Sequence, residues 1–107
     1  MLLKELTELN GVSGNEDEVR EFIKKEAQMH ATEIKVDSMG NLICYKKGKS
    51  SEYKIMLSAH MDEVGFIVTG NKDGVIKFSP IGGIDERILP GTRVLVGDKK
   101  IPGVIGS

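Results

Sequence analysis

The stretch Lys54-Ile55-Met56-Leu57-Ser58-Ala59-His60-Met61-Asp62-Glu63-Val64-Gly65-Phe66-Ile67-Val68 joins two apolar runs through a short cluster of polar and ionisable side chains. Residues 53–57 are apolar at nearly every position. That pattern predicts a strand buried on both faces in the middle of a sheet. Such a strand delivers Ser-Ala-His-Met-Asp-Glu to the loop at its end, a common place for chemistry. Residues i and i+2 of an extended chain point to the same side. His60 and Asp62 are therefore expected to face one pocket, with Met61 and Glu63 turned away. Working outward, the upstream part reads as the scaffold of that strand and the downstream part as a β-rich segment.

Bulk properties bound the function classes. With 107 residues, 39% hydrophobic and 29% charged, the chain has the composition of a soluble globular protein. It is large enough for one modest domain with a real core. A net charge of −1 offers no attraction to nucleic acid or to an anionic membrane. Aromatics at 5% and the absence of Trp leave few platforms for stacking bases. No apolar run approaches the ~20 residues that cross a bilayer. Met1-Leu2-Leu3-Lys4-Glu5 meets acid at once and lacks the basic start of a signal peptide. Cys44 is the only cysteine, which excludes an internal disulfide and a cysteine-based zinc cluster. The resulting expectation is a cytoplasmic protein without a nucleic-acid or membrane partner.

Upstream of the central stretch, Leu2, Leu3, Leu6 and Leu9 recur at helical spacing and predict a helix over 2–10. Asn10-Gly11 ends it, with Gly11 suited to the left-handed position beyond a helix. Ser13 stands three residues before Glu16 and matches a capping box, with Asn15 as the alternative cap. Glu16, Asp17 and Glu18 then load the first turn of a helix that runs to about Met29. Its buried stripe is Val19, Phe22, Ile23 and Ala27. Strands are predicted over 32–37 and 42–46 around a turn at 38–41.

Downstream, 64–69 and 75–78 flank Gly70-Asn71-Lys72-Asp73-Gly74, and 93–96 and 101–105 flank Gly97-Asp98-Lys99-Lys100. Both read as hairpins. No helical periodicity remains there. The boundary between an α/β part and an all-β part is accordingly placed at residue 69.

The chemistry of the centre rests on two side chains. A neutral imidazole is a good ligand for zinc and similar ions. A nearby carboxylate fixes its tautomer and raises its basicity. Taken alone, His-x-Asp is more often a hydrogen-bonded pair in a loop than a metal site, and a catalytic zinc needs about three protein ligands. The remaining candidates have plainer readings. His30 suits the C-terminal end of a helix dipole, and Cys44 a small buried hydrophobe in a strand. Asp85 and Glu86 read as loop architecture, and Met56 and Met61 as packing. Ser58 lacks the Gly-x-Ser-x-Gly elbow of a hydrolase nucleophile. Asp62 and Glu63 are adjacent and cannot face each other across a sugar at the roughly 5–9.5 Å a glycosidase requires.

Five stretches carry a family resemblance: Gly11-Val12-Ser13-Gly14-Asn15-Glu16, Asp37-Ser38-Met39-Gly40-Asn41-Leu42, Ser58-Ala59-His60-Met61-Asp62-Glu63-Val64-Gly65, Ile81-Gly82-Gly83-Ile84-Asp85 and Pro102-Gly103-Val104-Ile105-Gly106. Together they resemble the M42 metallopeptidases, two-metal aminopeptidases of the deblocking and glutamyl type, with relatives once labelled endoglucanases. The stretches occur in the family's order and correspond to the N-terminal portion of its length.

The resemblance implies an α/β fold, the N-terminal part of a zinc-peptidase-like helix/sheet domain, followed by the start of a smaller all-β, PDZ-like barrel used in oligomerisation. Residues 1–69 would belong to the former and 70–107 to an incomplete copy of the latter. It implies His60 as a metal ligand and Asp62 as the catalytic carboxylate that orients and tunes the site. Two divalent ions (zinc, cobalt or manganese) would polarise the scissile carbonyl of a peptide substrate and activate a bridging water. The bridging aspartate, the Glu-Glu pair with the general base, and a later Asp and His are expected beyond Ser107. The 107 residues alone are thus expected to bind no metal and to be inactive. The alternative is a non-catalytic fragment or assembly module that associates through exposed sheet edges.

Overall fold

Helix α2 (Asp17–Gln28) is the best-anchored element of the chain, and a computed structural model describes it together with all of residues 1–107. Asp17 and Glu18 occupy its first turn and Lys25 its last, so both ends complement the helix dipole. Val19 is buried, and Phe22, Ile23 and Ala27 are half-buried on the same stripe. Before it comes α1 (Leu2–Thr7), shorter than predicted, with Leu2 and Leu3 exposed. A six-residue helix lies below the length at which helices hold themselves together in water, and past Thr7 only turn bonds continue it, from the Glu8 amide to the Lys4 carbonyl and from the Leu9 amide to the Leu6 carbonyl.

Arg20 connects α2 to the first hairpin. That hairpin consists of β1 (Glu33–Val36) and β2 (Leu42–Tyr45), paired antiparallel with Ile34 opposite Cys44. The Arg20 side chain is only 13% exposed; its Nε donates to the Gly40 carbonyl at 2.6 Å and its guanidinium meets Asp17 at 2.5 Å. Asp37 builds the turn by accepting from the amides of Met39 (3.0 Å) and Asn41 (2.9 Å) and from the Asn41 side chain (2.8 Å). Those donors, the Asn41 side chain first, hold the Asp37 carboxyl below its ordinary pKa. Cys44, expected to be buried, is exposed: on the face it shares with its cross-strand partner Ile34, only Ile34 and Leu42 are half-buried, and the cover stops short of Cys44.

The second half contains β3 (Gly65–Lys72) with β4 (Val75–Ile81), and β5 (Arg93–Val96) with β6 (Ile101–Val104). The β3–β4 turn is tighter than the predicted five-residue loop. Asp73 and Gly74 both have positive φ, 54° and 81°, as a two-residue hairpin turn requires. The ladder shifts register between Val68 and Gly70, next to residue 69. Phe66 and Phe78 meet edge to face with ring centroids 4.8 Å apart. Between the hairpins, Asp85 caps a single 3-10 turn (Glu86–Ile88) by accepting from the Arg87 amide at 3.0 Å. It also pairs with the Arg87 guanidinium at 2.7 and 2.9 Å, which lowers the Asp85 pKa. Asp85 is therefore loop architecture, as read from the sequence.

Two expectations fail together. Residues 53–57 form no strand: Tyr53, Ile55, Met56 and Leu57 are 82%, 89%, 87% and 92% exposed. Nor does a substantial core form, since only three residues are buried, among them Val19 and Ile105. The physical reason is shared. The strands make three separate two-stranded sheets, and none of them lends an edge to 53–57. An apolar strand pattern records burial against neighbours on both sides, and within these residues there are none.

The accessible surface of 9184 Å² compares with about 5,900 Å² for a compact monomer of this mass. The radius of gyration is 18.0 Å, against about 13 Å for a compact chain of this length. The chain is thus mixed helix and strand, with two hairpins and no closed barrel in its β half. No helix is long and apolar enough to cross a membrane.

Candidate functional site

The polar end of the central stretch is held by the loop between α1 and α2. The Glu63 amide donates to the Gly11 carbonyl at 2.7 Å, and Val12 and Glu63 form a parallel bridge. Gly11 does not adopt the left-handed conformation expected of a helix end. It serves close approach instead: a Cβ there would lie 2.7 Å from Val19 Cγ2 and 3.5 Å from the Met61 carbonyl. Gly65 does the same from the other side, where a Cβ would collide with the Val12 side chain. Gly65 against Val12 lets the two segments run side by side, and Gly11 against Val19 lets α2 close on the first of them.

This pairing places His60 and Asp62. His60 Nδ1 lies 3.0 Å from Asp62 Oδ1 and 3.0 Å from the Asp62 carbonyl oxygen. The two side chains meet as their i, i+2 spacing predicts, although neither lies in a strand. Asp62 Oδ2 accepts a short hydrogen bond from the Ser13 hydroxyl. The Ser13 hydroxyl, and after it the His60 ring, hold the Asp62 carboxyl below the ordinary carboxylate range. Asp62 is therefore an ionised acceptor at neutral pH. Both oxygens facing Nδ1 can only accept, so the neutral ring carries its proton on Nδ1. Nε2 is left with its lone pair. The His60 side chain is 85% exposed.

This donor chemistry fits one position of a metal centre. The ring has the tautomer a ligand needs, set by a carboxylate on its other nitrogen. It does not amount to a centre, since no group of three or more His, Cys, Asp or Glu side chains is arranged to hold an ion. Glu63 follows Asp62 and enters no hydrogen bond through its side chain. His30 lies past the end of α2, in the turn where its amide bonds the Ala27 carbonyl at 3.0 Å.

One contact of the candidate site escapes the sequence reading. Ser13 was expected to cap α2 in a box with Glu16, yet Glu16 is itself the N-cap residue and no side chain bonds the cap amides. Glu16 reaches back to the Gly14 amide at 2.7 Å, and Ser13 turns away to Asp62. The pattern Ser-x-x-Glu is satisfied locally by either arrangement, so spacing could not tell them apart.

Comparisons with known proteins agree on a family. The sequence model described as M42 glutamyl aminopeptidase matches residues 40–107. The glutamyl aminopeptidase of Lactococcus lactis is 36% identical over 110 residues, spanning 98% of this chain and 31% of its own length. A solved structure from Thermotoga maritima, described as an endoglucanase, superposes with a TM-score of 0.90 at 50% identity, covering 97% of this chain and 33% of that one. An aminopeptidase structure from Desulfurococcus kamchatkensis superposes with a TM-score of 0.89 at 38% identity, covering 98% and 30%. The chain therefore spans about a third of the length of these relatives.

Proposed function

Because the chain belongs to the M42 peptidase family, we propose that its residues form part of an aminopeptidase to which they contribute one metal ligand, His60, and the carboxylate that orients it, Asp62. The observation that carries this reading is the Asp62 contact with His60 Nδ1 at 3.0 Å, which leaves Nε2 as the free donor. When bound, paired divalent ions would supply polarisation of the scissile carbonyl and activation of a water, and His60 would hold one of them. The residues described here hold and orient; no step of the reaction is completed by them alone. Asp62 fixes the ring and its tautomer, and the Gly11–Glu63 pairing fixes Asp62. The other ligands and the general base are assigned to residues outside these 107.

Further parts of the reading follow from the family. Peptides are the substrates, a small β domain begins near residue 70, and the assembled enzyme is a cytoplasmic homo-oligomer. The endoglucanase description belongs to the Thermotoga protein. Here Asp62 and Glu63 are neighbours in sequence and offer no facing pair of carboxyls.

The test is hydrolysis of aminoacyl anilides, with and without a chelator, by the product of the full reading frame and by the 107-residue chain. Chelator-sensitive turnover is expected from the former and none from the latter. Failure of the former, or stoichiometric metal with turnover in the latter, overturns the proposal.

A second reading is favoured by one observation, the 82–92% exposure of the apolar side chains in 53–57. An unpaired apolar segment with free backbone groups is a template for association. The isolated chain is then an associating module. Light scattering after size-exclusion chromatography decides it, since a clean monomer argues against an assembly role.

A further inference from the structure

Ser13 and Asp62 are 49 positions apart in sequence, and the Ser13 hydroxyl nevertheless donates to Asp62 Oδ2. The contact has a built approach. The Asn15 amide bonds the Val12 carbonyl at 2.8 Å and closes a turn around Ser13. Val12 bridges to Glu63, and the Glu63 amide bonds Gly11 at 2.7 Å. The parallel register sets Gly11 beside Asp62, and the turn that follows Val12 brings the Ser13 hydroxyl to the Asp62 carboxylate.

The two oxygens of Asp62 are divided between two partners: Oδ2 takes Ser13, and Oδ1 takes His60 Nδ1 at 3.0 Å. Rotation of a carboxylate about its last torsion is broad and nearly two-fold. A single bond to the ring would leave that rotation loose, and the ring would then be held chiefly by its other contact, from Nδ1 to the Asp62 carbonyl oxygen at 3.0 Å. A second donor on the opposite oxygen removes the freedom.

We propose that Ser13 is a positioning residue for the His60 ring, acting through Asp62, and that this role replaces the helix-capping role its spacing suggests. The inference rests on the reading of His60 as an Nε2 ligand, and deepens it. Ser13 touches neither ligand nor substrate. It fixes the plane of the carboxylate, the carboxylate holds the proton on Nδ1 together with the Asp62 carbonyl oxygen, and Nε2 is thereby aimed and left free. Outer contacts of this kind change metal affinity without changing the ligand set.

The test reads the ring directly. Long-range proton–nitrogen NMR of the metal-free product of the full reading frame, above the pH where imidazole is protonated, reports which nitrogen of His60 carries the proton. His30 in the same spectra serves as the internal reference. The wild type is expected to hold the Nδ1–H tautomer predominantly. Ser13→Ala should move the tautomer ratio toward that of Asp62→Ala, and Ser13→Thr should restore it. The amide resonances of Gly11 and Glu63 should stay in place in all of them.

A wild-type ring that carries its proton on Nε2 overturns the inference, as does Ser13→Ala with an unaltered ratio. Loss of the Gly11–Glu63 amide signature in Ser13→Ala also overturns it, because Ser13 would then be a staple between segments and not a positioning residue. In the product of the full reading frame, Ser13→Ala should weaken zinc binding by about threefold to tenfold, below the 10–100-fold of a direct ligand-orienting partner. His60→Ala separates the two ideas. If it leaves metal and turnover intact, the functional reading fails whatever Ser13 does. If it abolishes both while Ser13→Ala leaves the tautomer unchanged, only the role of Ser13 fails.

Discussion

Residues 53–57 and residues 60–63 are a few positions apart and have opposite fates. The first segment is apolar, ready for a strand, and bare: Leu57 is 92% exposed. The second is polar and fixed, with Glu63 bonded to Gly11, Asp62 to Ser13 and His60 to Asp62. Apolar character alone does not order a segment, because burial needs a neighbour with area to give. A few hydrogen bonds do order one when a glycine, Gly65 against Val12, lets two backbones come into register. The site fragment is thus organised by the loop before α2, and not by the strand expected to deliver it.

The largest effect that sharpens this contrast comes from Asp62→Asn in the product of the full reading frame. Asparagine keeps the shape but offers an amide that can turn its NH₂ toward Nδ1. Metal affinity or turnover should fall 10–100-fold, measured by equilibrium dialysis and anilide hydrolysis. Gly11→Ala attacks the fixed segment from its packing side. A Cβ there would sit 2.7 Å from Val19 Cγ2, and the overpacking should cost about 1–3 kcal/mol in a denaturant titration. Gly83→Ala is its control: nothing lies within 4 Å of a Cβ at Gly83 and its φ is not positive, so stability should stay within about 0.5 kcal/mol.

The bare segment answers to a different probe. Leu57→Asp should change the stability of the isolated 107-residue chain by less than about 0.5 kcal/mol, because no buried contact is lost. It should reduce association measured by light scattering.

The smallest effect is electrostatic. Lys100 Nζ meets Glu18 Oε1 at 2.8 Å and joins the β5–β6 turn to α2. That bond, chiefly, lowers the Glu18 pKa. A lowered carboxyl pKa in the folded state adds stability above its unfolded value, and the gain is lost as pH falls through the carboxylate range. Both side chains are about a third exposed, so the pair is screened and Lys100→Ala should cost about 0.2–1 kcal/mol at neutral pH. The difference from wild type should vanish in acid.

Much of the local structure was legible in the residues. The α2 stripe, its acidic start, all three hairpins and the meeting of His60 with Asp62 follow from periodicity and turn chemistry. What escaped depends on partners distant in sequence. Arg20 with Gly40, Ser13 with Asp62 and Glu18 with Lys100 leave no periodic trace. Ser13 was the hardest, because a local motif already accounted for it. Cys44 and residues 53–57 failed for the reverse reason. Their apolar character was read as burial, and this chain supplies nothing to bury them.

The central claim is that His60 is a metal ligand of an aminopeptidase, aimed by Asp62. Its most direct test is metal content and anilide turnover of the product of the full reading frame, wild type against His60→Ala. The variant is expected to lose about one metal equivalent per chain and at least about 100-fold of its turnover. An unchanged metal content with unchanged turnover would contradict it.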